Sequence, residues 1–347
     1  MFYLFPLVLA FLLALILTPL VKKTAQNLNI VDLPTPRKIH TKPIPLLGGL
    51  ALFLTFSLTT IIFWSLGYIQ DLRISNIYIL VILLGGGILM IGGYLDDRYN
   101  LKPVQQLFFP LLAVLLLLAG GVKIQFVTNP FGGILEFPSH LGIAIAFLWL
   151  LGMIYTTKFL DGLDGLATGI TAIGSIIIFI VSLYWDIPYS GTSIMALILA
   201  GACLGFLVFN WHPAKIFLGE GGSVFCGFML GVLSIISGSK IATALLIMGV
   251  PILDVLWVII RRLWQGHSPA AADRKHLHFR LLDIGLSHRQ AVIFLYLLTA
   301  IFGLASLSLP SKGKIIALGI LALFMLILAA TLVIIYKLKH PHAQRKI

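Results

Sequence analysis

Two pairs of carboxylates are the residues best placed to do chemistry in this sequence. Asp96 and Asp97 are adjacent in Leu95-Asp96-Asp97-Arg98, and Asp161 and Asp164 stand three apart in Asp161-Gly162-Leu163-Asp164-Gly165. Neighbouring carboxylates repel each other unless a cation balances them, so such pairs suit binding a divalent ion or deprotonating a phosphate. The three-residue spacing puts Asp161 and Asp164 on one face of a helical turn. The interleaved glycines let a ligand approach the backbone closely. A third group runs from Asn210 through Lys215 to Gly219-Glu220-Gly221-Gly222-Ser223. It sets an amide, an ammonium and a carboxylate before a Gly-rich helix start, a favourable place for phosphate. A calcium loop needs more oxygen ligands and a closing Glu. The Gly-x-x-x-x-Gly-Lys-Ser/Thr order of a P-loop is absent.

Two basic segments complete the candidate set. One reads Arg37-Lys38-Ile39-His40 and leads to Gly48-Gly49; the other reads Asp273-Arg274-Lys275-His276-Leu277-His278-Phe279-Arg280. Their cationic and polar side chains suit a phosphate, a pyrophosphate or a sugar. Zinc on His276 and His278 lacks a third nitrogen or sulfur ligand at a usual spacing.

These residues must be positioned by helices in a membrane. Hydrophobic residues make up 59% of the chain and charged residues 10%, against roughly 25% charged in a soluble domain. Too little charge is left to cover a wet surface, and too much hydrophobicity for disorder. The apolar residues come in unbroken runs rather than the alternation of a barrel. The two cysteines, Cys203 and Cys226, sit inside apolar runs and read as core residues. A span takes about 20 apolar residues. Eleven segments qualify: 2–21, 47–68, 77–95, 106–121, 140–157, 166–184, 192–209, 223–237, 241–260, 290–309 and 315–336. Five connecting segments on one side hold only five of the 24 Lys and Arg, leaving 19 on the other. The positive side faces the cytoplasm, so the N-terminus is expected outside and the C-terminus inside. The first span carries its charges, Lys22 and Lys23, after it, and reads as a retained helix. The net charge of +12 is split over short membrane loops, which argues against nucleic acid. Eight of the 12 acids fall in or beside the cytoplasmic loops, whose candidate active-site stretches are 22–46, 96–105, 158–165, 210–222 and 261–289.

Taken together, these loops resemble the polyprenyl-phosphate N-acetylhexosamine-1-phosphate transferases, glycosyltransferase family 4, which also contains the phospho-MurNAc-pentapeptide translocase. Six blocks match in order between Arg37 and about Gln290. They are Arg-Lys-x-His…Pro-x-Pro…Gly-Gly, Leu-Asp-Asp-Arg, Asp-Gly-Leu-Asp-Gly-Leu-Ala, Phe-Asn…Pro-Ala-Lys-Ile-Phe-Leu-Gly, Pro-Ile-Leu-Asp at 251–254, and Asp-Arg-x-His-Leu-His. Any one is weak; the six in order, each at a cytoplasmic loop or helix end, are specific. The last is more like the hexosamine branch. The resemblance implies an all-α polytopic fold forming a single transmembrane transferase domain over 1–347, in the plasma membrane with a cytoplasmic cleft. It implies transfer of N-acetylhexosamine 1-phosphate, with GlcNAc 1-phosphate as the expected group, from a UDP-sugar to a polyprenyl (undecaprenyl) phosphate. The products are UMP and a polyprenyl-diphospho-sugar for cell-envelope polysaccharide. A homodimer is allowed. Asp96, Asp97, Asp161, Asp164 and Lys158 take the catalytic places. Arg37, His40, Asn210, Lys215, Asp273, His276, His278 and Arg280 take substrate-binding ones. Glu220 takes that of a Mg2+ ligand.

The chain departs from the pattern where Asn is usual (Tyr155 and Lys158), where Asp is usual (Glu220), where a second His is usual (Phe279) and where a third acid is common (Asn100). Lys158 and Glu220 stand at the two places of magnesium ligands, and a protonated Lys cannot ligate a metal. They are expected to form an ion pair, the ammonium standing partly where magnesium would. A rearranged metal site is an alternative. So are a catalytically altered or inactive homologue that still binds lipid phosphate, and a membrane transporter.

Overall fold

The computed structural model describes residues 3–34, 40–69, 74–185, 190–238, 240–266 and 276–339. Within them the helices are α1 (Leu4–Asn27), α2 (Gly48–Ser65), α3 (Asn76–Tyr99), α4 (Pro103–Ala119), α5 (Ser139–Leu160), α6 (Leu166–Trp185), α7 (Gly191–Asn210), α8 (Gly219–Ile236), α9 (Ile241–Ile247), α10 (Gly249–Trp264), α11 (Leu277–Asp283), α12 (His288–Ser308) and α13 (Ser311–Lys339). Two short antiparallel ribbons pair β1 (Val31–Asp32) with β2 (Ile44–Pro45), and β3 (Phe126–Thr128) with β4 (Ile134–Glu136). The protein is an all-α, multi-pass membrane protein.

Each of the eleven expected spans falls, among the described residues, largely on helix. Among the described residues, nine helices are long and apolar enough to cross a bilayer. The span expected over 241–260 is broken, because α9 and α10 meet at a 75° bend. Pro251 lies in the first turn of α10, where its missing N–H costs nothing, whereas it would interrupt a continuous helix. The remaining segment, α4, is a 17-residue apolar helix. The ribbons and α11 have no counterpart in the sequence reading, since pieces of two to seven residues carry too little periodicity.

The bundle is built around α8. Its most apolar stretch is 89% buried, against 17% for α13 at the periphery. Without a hydrophobic drive between helices in lipid, close packing depends on small residues. A Cβ on Gly49 would lie 2.2 Å from Gly222 N, and one on Gly93 would lie 2.2 Å from Gly221 Cα. Helices α2, α3 and α8 therefore touch backbone to backbone at one end of the bundle. A Cβ on Gly227 of α8 would likewise lie 2.4 Å from Met153 O of α5. Farther along that seam, the Trp149 indole donates to Ser234 Oγ at 3.0 Å and to Gly231 O at 3.2 Å. In this antiparallel register each step toward the end of α5 is a step back along α8, which brings Lys158 opposite Glu220. Some buried hydroxyls are satisfied within their own helices: Thr18, Thr55 and Thr59 each donate to the carbonyl four residues earlier, an arrangement that suits a span.

The seam predicts which glycines tolerate a side chain. Gly93→Val should lower the thermal unfolding midpoint in detergent by an amount equivalent to about 1–3 kcal/mol, the usual cost of overpacking. Gly152→Ala, on a helix face with nothing within 4 Å of the new Cβ, should be neutral or slightly stabilising.

Candidate active site

One cleft of about 850 Å³ opens at the end of the bundle where the glycine seam lies. That volume is in the usual range for a small-molecule site, roughly 300–1,000 Å³. Residues from each of the five loop stretches expected on one side line it: Lys22 and His40, Asp96 and Asp97, Lys158 and Asp161, Asn210 and Lys215, and Phe279 and His288.

Asp97 sits in the last turn of α3, against the start of α8. Its Oδ1 accepts the Glu220 N–H at 3.1 Å, a free donor of a helix N-terminus. Gly219 has φ +74, and a Cβ there would lie 2.5 Å from Asp97 Oδ2; both facts call for glycine. Asp96, one residue earlier, turns to α4. Its Oδ1 accepts from Leu101 N and from Gln106 Nε2, each at 2.9 Å. The Gln106 amide oxygen in turn accepts from Lys158 Nζ at 2.8 Å. Lys158 Nζ lies 2.6 Å from Glu220 Oε1, with both side chains 17% exposed. The expected ion pair is present. The ammonium also stands 5.9 Å over the Tyr155 ring, which adds cation–π attraction. Asp96, Gln106, Lys158 and Glu220 thus form one hydrogen-bonded chain across α3, α4, α5 and α8.

Asp161 caps α5, and no hydrogen-bond partner for its carboxylate stands among the described residues. Burial, and then the charges of Glu220, Asp97 and Asp164, push its carboxyl up to about 8. Asp164 Oδ2 lies 2.7 Å from His212 Nδ1 and accepts from Ala214 N at 3.1 Å. The His212 ring stacks on His288 at 4.0 Å and 13°. Asp164, His212 and His288 offer ligand atoms within 4.8 Å of one another. Parallel rings aim their lone pairs side by side rather than at one point, an arrangement less suited to one shared ion than to the observed Asp164–His212 hydrogen bond with His288 stacked on it.

The other expected site residues divide. His40 lines the cleft, with Nε2 2.9 Å from Asp32 Oδ2 and Nδ1 2.9 Å from Lys42 O. Lys215 lies exposed at the rim. Asn210 also borders the cleft, but its amide is spent inside the protein. It accepts from Gly165 N at 3.1 Å and Thr168 Oγ1 at 3.0 Å, and donates to Ile216 O at 3.0 Å. His276, His278 and Arg280 are absent from the lining. His276 Nδ1 is 2.9 Å from Asp254 Oδ2, and the Leu277 N–H donates to Asp254 Oδ1 at 2.9 Å. His278 lies behind the acidic loop: a Cβ on Gly162 would meet its Nε2 at 2.1 Å. Burial pushes that imidazole down to about 4, so it is neutral. Its neighbour Phe279 reaches the cleft instead. Arg37 and Asp273 lie outside the described residues. The sequence reading missed Gln106, His212 and His288. A lone Gln near the start of an apolar helix carries no signal, and His212 was visible only as part of its loop.

Comparison with known proteins decides the family. A family model described as glycosyl transferase family 4 matches residues 79–238. A relative in Bacillus subtilis (strain 168), a probable undecaprenyl-phosphate N-acetylglucosaminyl 1-phosphate transferase, is 33% identical over 92% of this chain and 88% of its own. The chain belongs to glycosyl transferase family 4. Two further members are a decaprenyl-phosphate N-acetylglucosaminephosphotransferase of Mycolicibacterium smegmatis, 32% identical over 85% of this chain and 79% of its own, and a phospho-N-acetylmuramoyl-pentapeptide-transferase of Desulforudis audaxviator, 30% identical over 86% and 96%. The family match runs from α3 to α8 and so contains Asp96, Asp97, Lys158, Asp161, Asp164 and Glu220.

The raised carboxyl of Asp161 has a consequence for stability. A carboxyl with a higher pKa folded than unfolded stabilises at low pH, and this contribution is lost as pH rises toward the folded value. Between about pH 4 and pH 8 the wild type should therefore lose stability relative to Asp161→Asn. Unfolding midpoints of the two proteins, measured in detergent across that window, should shift toward the variant as pH rises. A constant difference would mean that Asp161 is not held protonated.

Proposed function

We propose that the protein transfers N-acetylglucosamine 1-phosphate from a UDP-sugar to a polyprenyl phosphate in the plasma membrane, at a cleft on the cytoplasmic face. The observation that carries this reading is the near full-length similarity to a relative named for undecaprenyl-phosphate N-acetylglucosaminyl 1-phosphate transfer. The convergence of the loops on one cleft supports it. An oxygen of the polyprenyl phosphate attacks the phosphorus that carries the sugar. The bond from that phosphorus to the bridging oxygen breaks, and UMP leaves with the electron pair.

In this reading Asp97 is the carboxylate that orients the lipid phosphate and takes its proton where one remains. The α8 N-terminus fixes it there. Asp161 is the second carboxylate facing the reacting groups, and the Asp164–His212–His288 stack shapes the adjoining wall. Both substrates are anions, so the cleft must supply positive charge where they meet. Lys22, Lys42 and Lys215 are among its lining residues. An acceptor with a long isoprenoid tail accounts for a site built on helix ends at the membrane surface.

Metal dependence is general in the family, and Mg2+ is the ion the resemblance implies. Asp97 and Asp161 are oxygen donors suited to a hard ion. Glu220 does not fit well as its ligand, because the Lys158 ammonium 2.6 Å from Glu220 Oε1 would repel a divalent ion bound to the same carboxylate.

Two measurements test this reading. With UDP-GlcNAc and undecaprenyl phosphate, purified protein should release UMP. Asp97→Asn and Asp161→Asn should each cut that rate by about 10²–10³, the usual worth of one placed electrostatic group, while unfolding as cooperatively as wild type. Near-normal rates in both would sink the site. For orientation, Phe131→Cys at the tip of the β3–β4 hairpin, 85% exposed, should react with an impermeant thiol reagent added outside intact cells. Gln265→Cys should react only after lysis. Native Cys203 and Cys226 are buried and do not confuse the readout.

A further inference from the structure

Lys158 is held in a way that its charge alone does not require. It stands in the last turn of α5, and its ammonium reaches two neighbouring helices. Nζ is 2.6 Å from Glu220 Oε1 on α8 and 2.8 Å from Gln106 Oε1 on α4. Both partners are themselves fixed. The Gln106 amide nitrogen donates to Asp96 Oδ1 at 2.9 Å and to Leu101 O at 3.1 Å, which leaves only its oxygen for the lysine. The Glu220 backbone N–H is tied to Asp97 at 3.1 Å. An ammonium has three donors. Two go to these oxygens, and Lys158 also lines the cleft. It is thus a positioned cation on the floor of a cleft whose other floor groups, Asp96, Asp97, Asp161 and Glu220, are acids.

That arrangement has the form of a filled cation site. A divalent ion on Glu220 would have only Oε2 clear of the lysine, since Oε1 is paired with Lys158, and on either oxygen of that carboxylate it would sit against a like charge only a few ångströms away. We propose that the Lys158 ammonium is the resident cation of this cleft, in place of a divalent ion on Glu220, and that it offers its remaining donor to the diphosphate of the sugar donor. The inference rests on the transfer reading above and assigns the charge that the reaction uses. As the phosphorus–oxygen bond to the uridine side breaks, negative charge grows on the departing phosphate. Lys158 offsets it without giving up its proton, so the dianionic acceptor and the donor become the lipid diphosphate and UMP with no net proton change. Glu220 is then a positioning residue that aims the lysine.

The test separates cation binding from transfer. Full-length protein in detergent is titrated with Mn2+, and the loss of the free-ion electron paramagnetic resonance signal is followed. Wild type should show no site tighter than millimolar. Lys158→Asn, which removes the charge and offers an amide oxygen, should gain one by at least about tenfold, and Lys158→Asn with Glu220→Ala should lose it again. In parallel, UMP release by wild type in EDTA should stay within about threefold of its rate with Mg2+. Release by Lys158→Asn should fall about 10²-fold in EDTA and recover in part with Mg2+. Lys158→Arg, which keeps the charge, should remain independent of Mg2+. A wild type that binds Mn2+ tightly through Glu220 and stops in EDTA overturns the proposal and leaves the transfer reading standing. No UMP release from any protein overturns the transfer reading, while the Mn2+ titration still decides whether the lysine fills the site. A cooperative unfolding transition in each variant guards against loss of fold.

Discussion

Five carboxylates cannot crowd one partly buried cleft unless something within it answers their charge. Like charges at close range raise one another's protonation and push the side chains apart. Here three devices divide the load. Asp97 takes a helix N-terminal N–H, Asp164 takes a backbone N–H and a histidine, and Glu220 takes an ammonium. Asp161 has no such partner among the described residues, and burial first, then the neighbouring acids, push its carboxyl up to about 8. The same accounting explains why the helices must approach so closely. An N–H of α8 reaches Asp97 only because Gly93 and Gly221 let α3 and α8 touch along their backbones. The glycine seam therefore does electrostatic work: it brings the helix ends within hydrogen-bonding distance of the acids they offset.

The cleft has an anionic floor and a cationic rim, and the two have different tasks. The rim lysines are accessible and screened by salt. They suit gathering anionic substrates rather than fixing them. The floor lies deeper, where interactions between charges are stronger and the geometry is held by several helices at once. Asn210 shows how that rigidity is built: its amide joins the acidic loop to the loop before α8 and keeps little for a ligand. Precision at the floor thus comes from hydrogen bonds that never meet substrate.

What could be read from the sequence follows from the range of each interaction. Spans were legible because twenty apolar residues in a row are a local signal. The bend at α9–α10 was not, since Gly249 and Pro251 lie inside a run that reads as continuous. Asp96, Asp97, Asp161, Asp164 and Glu220 were legible because acids are scarce in this chain and cluster at helix ends. The expected pairing of Lys158 with Glu220 was legible only through the family pattern, as 62 positions separate the two in the chain. His276 and His278 mark the limit. Their type and spacing look like a binding motif, yet His276 faces Asp254 and His278 packs behind Gly162. Motif chemistry does not say which layer a side chain occupies. Gln106 was invisible for the opposite reason: an ordinary amide gains its role only from the two groups it joins.

The two unusual residues are best understood as one chemical change. A lysine at 158 beside a cleft of acids needs a carboxylate it can reach, and the longer side chain of Glu220 extends toward α5 while its backbone N–H stays on Asp97. Shortening that side chain would keep the backbone tie but draw the carboxylate back from the ammonium. Removing the ammonium would leave Glu220 among like charges, where an uncompensated acid costs far more than its pair contributes. Each residue makes the other tolerable, and Gln106 fixes the lysine's direction so that the pair does not simply collapse into an inert bridge. Random loss of a site leaves unmatched charges and loosened partners. Here Lys158 and Glu220 are matched and joined through Gln106 to Asp96 by hydrogen bonds across four helices, which is the organisation expected of a site still held to a task.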